Sequence, residues 1–367
     1  MTWAPWVGFA IGILLLMSTG VSVVRVLVVP RPPSREAVSR AVLAAVRASF
    51  RLAARRLATY ESKDRLLTVA EPVALLALLT WWVGLTLVGW ALILWPVMGA
   101  GLGPAFEEAG SFMFTLGFAL PHHPGTVAVN LLAAATGIVI VALQIAYLPA
   151  LYASFNRREV LVTMLASRAG EPAWGPELLA RHQLVGIMDD LPGFYSAWEA
   201  WAADVAESHT NYPSLLWFRS PQPLYSWLIG LLAVLDSAAM YLALSPSRAP
   251  SQARLSLRMG FYALREIASV EGIDYDPDPG PDQPIDLGWE EFRGAVARLE
   301  LAGFPAERSA EEAWPHFRGW RVNYEHVAYA LADRLMAPPG PWSGPRTRLP
   351  VAEIPPRRPL DRRPGSR

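Results

Sequence analysis

The chain has 367 residues, 53% of them hydrophobic and only 17% charged, with a mean hydropathy of +0.25. Acidic and basic residues number 32 each, so the zero balance gives no support to a nucleic-acid partner, and the absence of cysteine excludes disulfides and thiolate metal sites. A charged fraction well below the usual quarter points to a membrane protein, and fifteen tryptophans suit interfacial anchoring.

The charges are segregated. Basic residues cluster between 25 and 65 and again after 156, and no lysine or arginine lies between Arg65 and Arg157. The first apolar run, 6–29, is long enough to cross a hydrocarbon core of roughly 30 Å at about 1.5 Å per residue. Its uncharged start and its length argue against a cleaved signal peptide, so a retained span is expected, with Arg25 snorkelling to the interface. Segment 31–68 carries Arg31, Arg35, Arg40, Arg47, Arg51, Arg55, Arg56, Lys63 and Arg65. Within it, 36–58 reads as an amphipathic helix. Arg40, Arg47, Arg51 and Arg55 form one stripe, and Val38, Val42, Val46, Ala53 and Leu57 lie opposite. Two readings are open: a helix held on the anionic inner leaflet by those arginines, or one packed on a soluble domain.

The second apolar run is 69–97, with Glu71 and Pro72 at its start and Trp81, Trp82, Trp90 and Trp95 along it. A Gly-rich link, 99–103, leads through Pro104 to a short helix over 105–114. Pro suits a first helical turn, and Glu107 and Glu108 in that turn complement the macrodipole. About ten residues cannot span a bilayer. The pentapeptide Thr115-Leu116-Gly117-Phe118-Ala119 follows, then Pro121-His122-His123-Pro124. A short helix and a Gly-bearing loop between two apolar runs read as a re-entrant element, which is tolerated at membrane depth only inside protein or against a water-filled cavity. The third run, 126–152, contains Gly137, Gln144 and Pro149. Lys/Arg bias places 31–68 and everything from 156 onward in the cytoplasm and 98–125 outside.

The order outer helix, short pore helix, T-x-G-aromatic-x and Gly-bearing inner helix resembles the pore domain of bacterial two-transmembrane potassium channels, an ion-channel family that includes two-pore-domain relatives. The likeness covers roughly 69–160. It implies that Thr115, Leu116, Gly117, Phe118 and Ala119 form an ion filter, lined by backbone carbonyls that replace an ion's hydration shell. It further implies that Gly137 and Pro149 serve as a gating hinge. His122, His123, Glu107 and Glu108 fall at the outer mouth, where a ring of imidazoles would titrate near neutral pH; an ordinary solvated loop is the other reading. Against the family pattern T-V-G-Y-G-D, Ala119 replaces the second Gly, Leu120 replaces the Asp, and Phe114 stands where a Thr usually precedes the filter Thr. A left-handed backbone at Ala119 would cost about 1–2 kcal/mol.

Residues 158–337 read as a helical cytoplasmic domain. Helices are expected over 158–169, 176–191, 194–209, 224–244, 251–271, 288–302 and 309–336, separated by Gly/Pro breakers. The apolar stretch 224–244 is long enough to span, but Asp236 lies within it, and an extra crossing would carry the Arg-rich 248–265 outside. It is therefore expected as a buried core helix in which Asp236 pairs with an arginine. Arg321, Glu325 and His326 read as helix surface, and Trp198, Trp201, Trp217 and Trp227 as core. His182, His209, His316, His326 and the pairs Asp189-Asp190 and Glu311-Glu312 form no zinc or nucleophile motif, and Asp274 to Asp278 departs from a calcium loop, so neither an enzyme nor a resident metal or cofactor is expected. The Pro/Arg-rich tail, 338–367, is expected to be disordered.

The expectation is an all-α protein of the inner membrane in five parts. These are an N-terminal transmembrane helix (1–30), a basic amphipathic linker (31–68), a pore domain with re-entrant helix and loop (69–157), a helical cytoplasmic domain (158–337) and the tail. It would act as a homotetramer conducting monovalent cations, with potassium as the permeant ion and anionic lipid as a further partner. The alternative is a non-conducting scaffold or sensor built on a relict pore.

Overall fold

A computed structural model describes residues 3–29, 37–121 and 124–345. The described residues are helical, with no strand among them. They divide into two compact units: Met1–Arg56 with Val69–Ala153, and Leu57–Thr68 with Ser154–Arg367.

The first unit holds α1 (Ala4–Leu27), α2 (Ala37–Ala54), most of α3 (Tyr60–Met98), α4 (Leu102–Met113) and the first part of α5 (Pro124–Ala169). α1 packs directly on α3. A Cβ at Gly12 would stand 2.7 Å from the Gly89 carbonyl oxygen, so the two glycines let the backbones touch. Further along, Trp82 Nε1 donates to Ser22 Oγ at 3.0 Å, and Ser22 shares a 2.9 Å hydroxyl contact with Ser39 of α2.

α2 therefore belongs to the same bundle as the apolar helices. Val42 and Leu43 pack against Val23, Leu78 and Trp82, and Arg47 grips the buried Glu71 of α3 with two hydrogen bonds of 2.8 and 2.7 Å. This corrects the reading of Arg47 as a lipid contact. A carboxylate on the apolar body of α3 needs a counter-ion once water is excluded, and α2 supplies it. Val38, on the apolar face opposite the arginine stripe, is exposed. The expected linker also ends early. Thr59 Oγ1 accepts the Ser62 N–H at 3.3 Å and Glu61 sits in the first turn, so α3 starts at Tyr60 rather than near 69.

The second unit contains the start of α3, the end of α5, α6 (Gly175–Val185), α7 (Leu191–Asn211), α8 (Trp227–Leu244), α9 (Ser251–Glu271), α10 (Trp289–Leu301), α11 (Ala310–Arg321) and α12 (Glu325–Arg334). No helix begins near 158, because α5 runs unbroken through Arg157 and Arg158. The expected helix over 309–336 is two helices. A capping box at Ser309 and Glu312 starts α11, and Val322 to Tyr324 turn the chain into α12. α8 is the axis of the unit. Ser226 caps it, all eighteen of its residues are buried, and α6, α7, α9, α11 and α12 surround it.

Among the described residues, four helices are long and apolar enough to cross a membrane: α1, α3, α5 and α8. The first three leave much of their apolar surface uncovered, whereas α8 is entirely enclosed by protein. The chain beyond 337 was expected to be disordered, yet 338–345 folds back on the unit. Trp342 is buried against Trp174 and Phe317, and Ser343 Oγ bonds both the N–H and the carbonyl of Gly340. One large aromatic supplies the buried apolar area that composition alone did not credit. Residues 346–367 lie outside the described residues.

Candidate functional site

α4 and the loop after it form the most distinctive feature of the first unit. Ala105 and Ala109 are buried against Trp90, Leu94 and Ala133. The C-terminal end of α4 abuts α5 at Gly137, where a Cβ would overlap the Met113 carbonyl oxygen. Gly137 is thus a contact point for α4, and α5 stays helical through both Gly137 and Pro149.

The pentapeptide folds back over the end of α4. Ser111, itself buried, organises it. Its carbonyl accepts the N–H groups of Leu116 at 2.8 Å and Gly117 at 3.5 Å, and its hydroxyl accepts the Ala119 N–H at 3.0 Å. Two residues take left-handed conformations, Thr115 (φ 55°) and Gly117 (φ 72°). Ala119 does not, so the cost expected there is absent. The strain falls instead on the β-branched Thr115, an unusual residue for that region, whose hydroxyl donates to the Phe114 carbonyl at 2.7 Å.

The carbonyl oxygens of Thr115, Leu116, Gly117 and Phe118 accept no hydrogen bond among the described residues. The side chains of Leu116 and Phe118 are each 63% exposed and Leu120 is 79% exposed. The loop leaves the C-terminal, electronegative end of α4. Free carbonyls at such an end make an environment suited to a cation.

The residues assigned to the outer mouth separate. Glu107 is exposed, but Glu108 is 0% exposed and accepts from Asn130 Nδ2 of α5 at 2.6 Å. It is a strut between α4 and α5 and not a mouth carboxylate. His122 and His123 lie outside the described residues. Gln144, on α5, donates to the Leu79 carbonyl at 3.3 Å, so it ties α5 to α3. Ser111 and Asn130 were not singled out from the sequence. The available signal was a polar residue one helical turn before Thr115 and a lone amide early in an apolar run.

The second unit contains two buried charge clusters. In the first, Asp236 on α8 pairs with Arg321 and accepts from Tyr324 Oη at 2.8 Å. Arg321 also donates to Glu325 at 2.7 Å, Tyr329 Oη at 2.8 Å and the Trp342 carbonyl at 2.8 Å. Asp236 finds the arginine partner expected of it. Arg321 and Glu325, read as surface from their spacing, are instead core, because the unit wraps α11 and α12 around the one carboxylate on α8.

The second cluster is a clasp. The segment 215–219 offers the Leu215 and Phe218 carbonyls to Arg158 of α5 at 2.7 and 2.8 Å. Its Arg219 pairs with Asp64 of α3 and donates to Tyr60 Oη at 2.6 Å. One short segment therefore grips both helices that flank the α4 loop in sequence. Arg158 is further held by Glu159 and by the Nε2 of His209 at 3.1 Å. Burial, reinforced by Arg158, lowers the His209 pKa well below the ordinary imidazole value. That ring is neutral and accepts at Nε2. Trp198, Trp201 and Trp227 are core, as expected.

Comparison with known protein families, curated proteins and solved structures found no match for the chain.

Proposed function

We propose that this chain is the pore-forming subunit of a homotetrameric monovalent cation channel in the inner membrane. α1, α3 and α5 span the bilayer, α4 re-enters from the outer side, and the second unit is cytoplasmic. The observation that carries the proposal is the run of four carbonyls, from Thr115 to Phe118, that accept no hydrogen bond among the described residues, at the C-terminal end of a helix too short to span. The likeness of 69–160 to potassium-channel pore domains supports potassium as the permeant ion.

α8 is the core helix of the cytoplasmic unit in this reading, not a fourth span. A span would present side chains to lipid, whereas α8 presents none, and its Asp236 is neutralised by protein. Arg40, Arg51 and Arg55, near the cytoplasmic end of the bundle, remain the lipid-facing candidates. The clasp at 215–219 lies wholly within the cytoplasmic unit, where it holds the start of α3 and the later part of α5.

One loop per chain cannot enclose a pore, so the proposal requires a ring of copies related by closed symmetry. Light scattering on the purified full-length protein in detergent, corrected for the micelle, is expected to give the mass of a tetramer. A monomer or dimer as the sole species would overturn the proposal.

A further inference from the structure

The last turns of α5 and the start of α7 line an open cleft of about 430 Å³ that none of the interactions above uses. That volume lies within the range of small-molecule sites. Its floor is apolar, with Leu165 and Trp198 buried beneath it and Met164 and Phe194 on its walls. Three charged residues line it, Arg168 from α5 and Asp189 and Asp190 from the turn before α7.

The charges remain separate, and Asp189 and Asp190 are exposed. Most arginines of this unit form an ion pair, among them Arg157, Arg181, Arg219, Arg298 and Arg334. Arg168, Asp189 and Asp190 form none among the described residues, although they share one cleft of opposite charges. Arg168 is nonetheless held in place. Its guanidinium lies 5.7 Å from the Phe194 ring centre, and one N–H group faces His182 Nε2 at 3.2 Å. His182 Nδ1 bonds the Leu178 carbonyl at 2.7 Å, and burial lowers the pKa of that imidazole below its ordinary value. A neutral His182 orients the arginine without cancelling its charge.

We infer that this cleft binds a small zwitterion with an apolar body, of the class of the apolar α-amino acids. The ligand carboxylate meets the free edge of Arg168 in a charge-assisted pair. The ammonium meets Asp189 and Asp190, and the side chain lies on Trp198 and Phe194. A ligand carrying one charge makes only one of the two pairs, so a zwitterion is preferred.

Saturation-transfer NMR and calorimetry on the full-length protein in detergent test this, with phenylalanine and leucine as probes and 3-phenylpropionate and phenethylamine as single-charge controls. Phenylalanine or leucine is expected to bind, and both controls at least about tenfold more weakly. Arg168→Gln and the Asp189→Asn/Asp190→Asn pair are each expected to weaken binding by about tenfold or more. Met164→Trp fills the cleft from a half-exposed position without touching a charge, and is expected to abolish binding while leaving the thermal unfolding midpoint near that of the wild type. Failure of both amino acids to bind at millimolar concentration, equal binding of a control, or wild-type affinity in Met164→Trp would overturn the inference. Binding is read directly, so the result is independent of ion conduction.

Discussion

Arg321→Leu is expected to cost the helical unit about 3–5 kcal/mol, the typical loss when one partner of a buried ion pair is removed. Arg321 is 0% exposed and answers two buried carboxylates at once, Asp236 and Glu325. Removing it strands the Asp236 charge beside the Tyr324 hydroxyl in the interior of the unit. It also frees Tyr329 Oη and the Trp342 carbonyl, so the folded-back segment 338–345 loses its anchor. Glu325 is less exposed to this loss, because it keeps the N–H groups of Asp286 and Leu287 at 2.5 and 3.1 Å. The double variant Asp236→Leu/Arg321→Leu should recover much of the stability, since replacing both members with apolar groups avoids an unpaired charge. Denaturant unfolding of the full-length protein, followed by circular dichroism across the four-member cycle, measures both quantities. Equal losses in the single and double variants would show that packing and not charge governs the site.

The second large effect is expected at Gly137. A methyl group there would overlap the Met113 carbonyl oxygen and press on the Met113 side chain. A backbone carbonyl at the end of α4 cannot rotate away as a side chain would, so α4 must shift and carry the loop with it. Overpacking of this kind costs about 1–3 kcal/mol. The functional cost is larger, because the Thr115–Ala119 backbone is held by Ser111 on the same last turn of α4. Gly137→Ala is therefore expected to reduce cation flux into liposomes to background while the protein still purifies with its helical content. Gly84→Ala is the control, since a Cβ at Gly84 meets nothing within 4 Å. Equal flux in the two variants would remove the coupling between α5 and the loop.

The hydropathy pattern made the long apolar helices legible, because runs of that length stand out from the rest of the chain. A short helix before the pentapeptide was legible, but α4 begins at Leu102, ahead of Pro104, and carries no acidic residue in its first turn; the core role of α8 was legible from Asp236. What the sequence concealed were interactions between elements far apart in the chain. Arg47 falls on the same stripe as Arg40, Arg51 and Arg55, and helical spacing cannot reveal that Glu71 waits for it on α3. Arg321 and Glu325 are four residues apart, the usual spacing of a surface pair, and only the burial of α8 makes them core. Glu108 differs from Glu107 by one position, yet a rotation of about 100° on the helix turns it inward to Asn130. The filter-like loop was recognisable by its Gly117, but its conformation was not. The family pattern raised a left-handed residue at 119, whereas the left-handed residues of the loop are Thr115 and Gly117.

The most direct measurement is a planar-bilayer recording of the purified full-length protein in asymmetric potassium and sodium solutions. A cation current is predicted, reversing nearer the potassium than the chloride equilibrium potential, and Gly117→Val is expected to abolish it, because the left-handed backbone at Gly117 (φ 72°) would add a second strained β-branched residue to a loop that already carries one at Thr115 (φ 55°). A demonstrably tetrameric preparation with no cation current, or a current unchanged by Gly117→Val, would contradict the account.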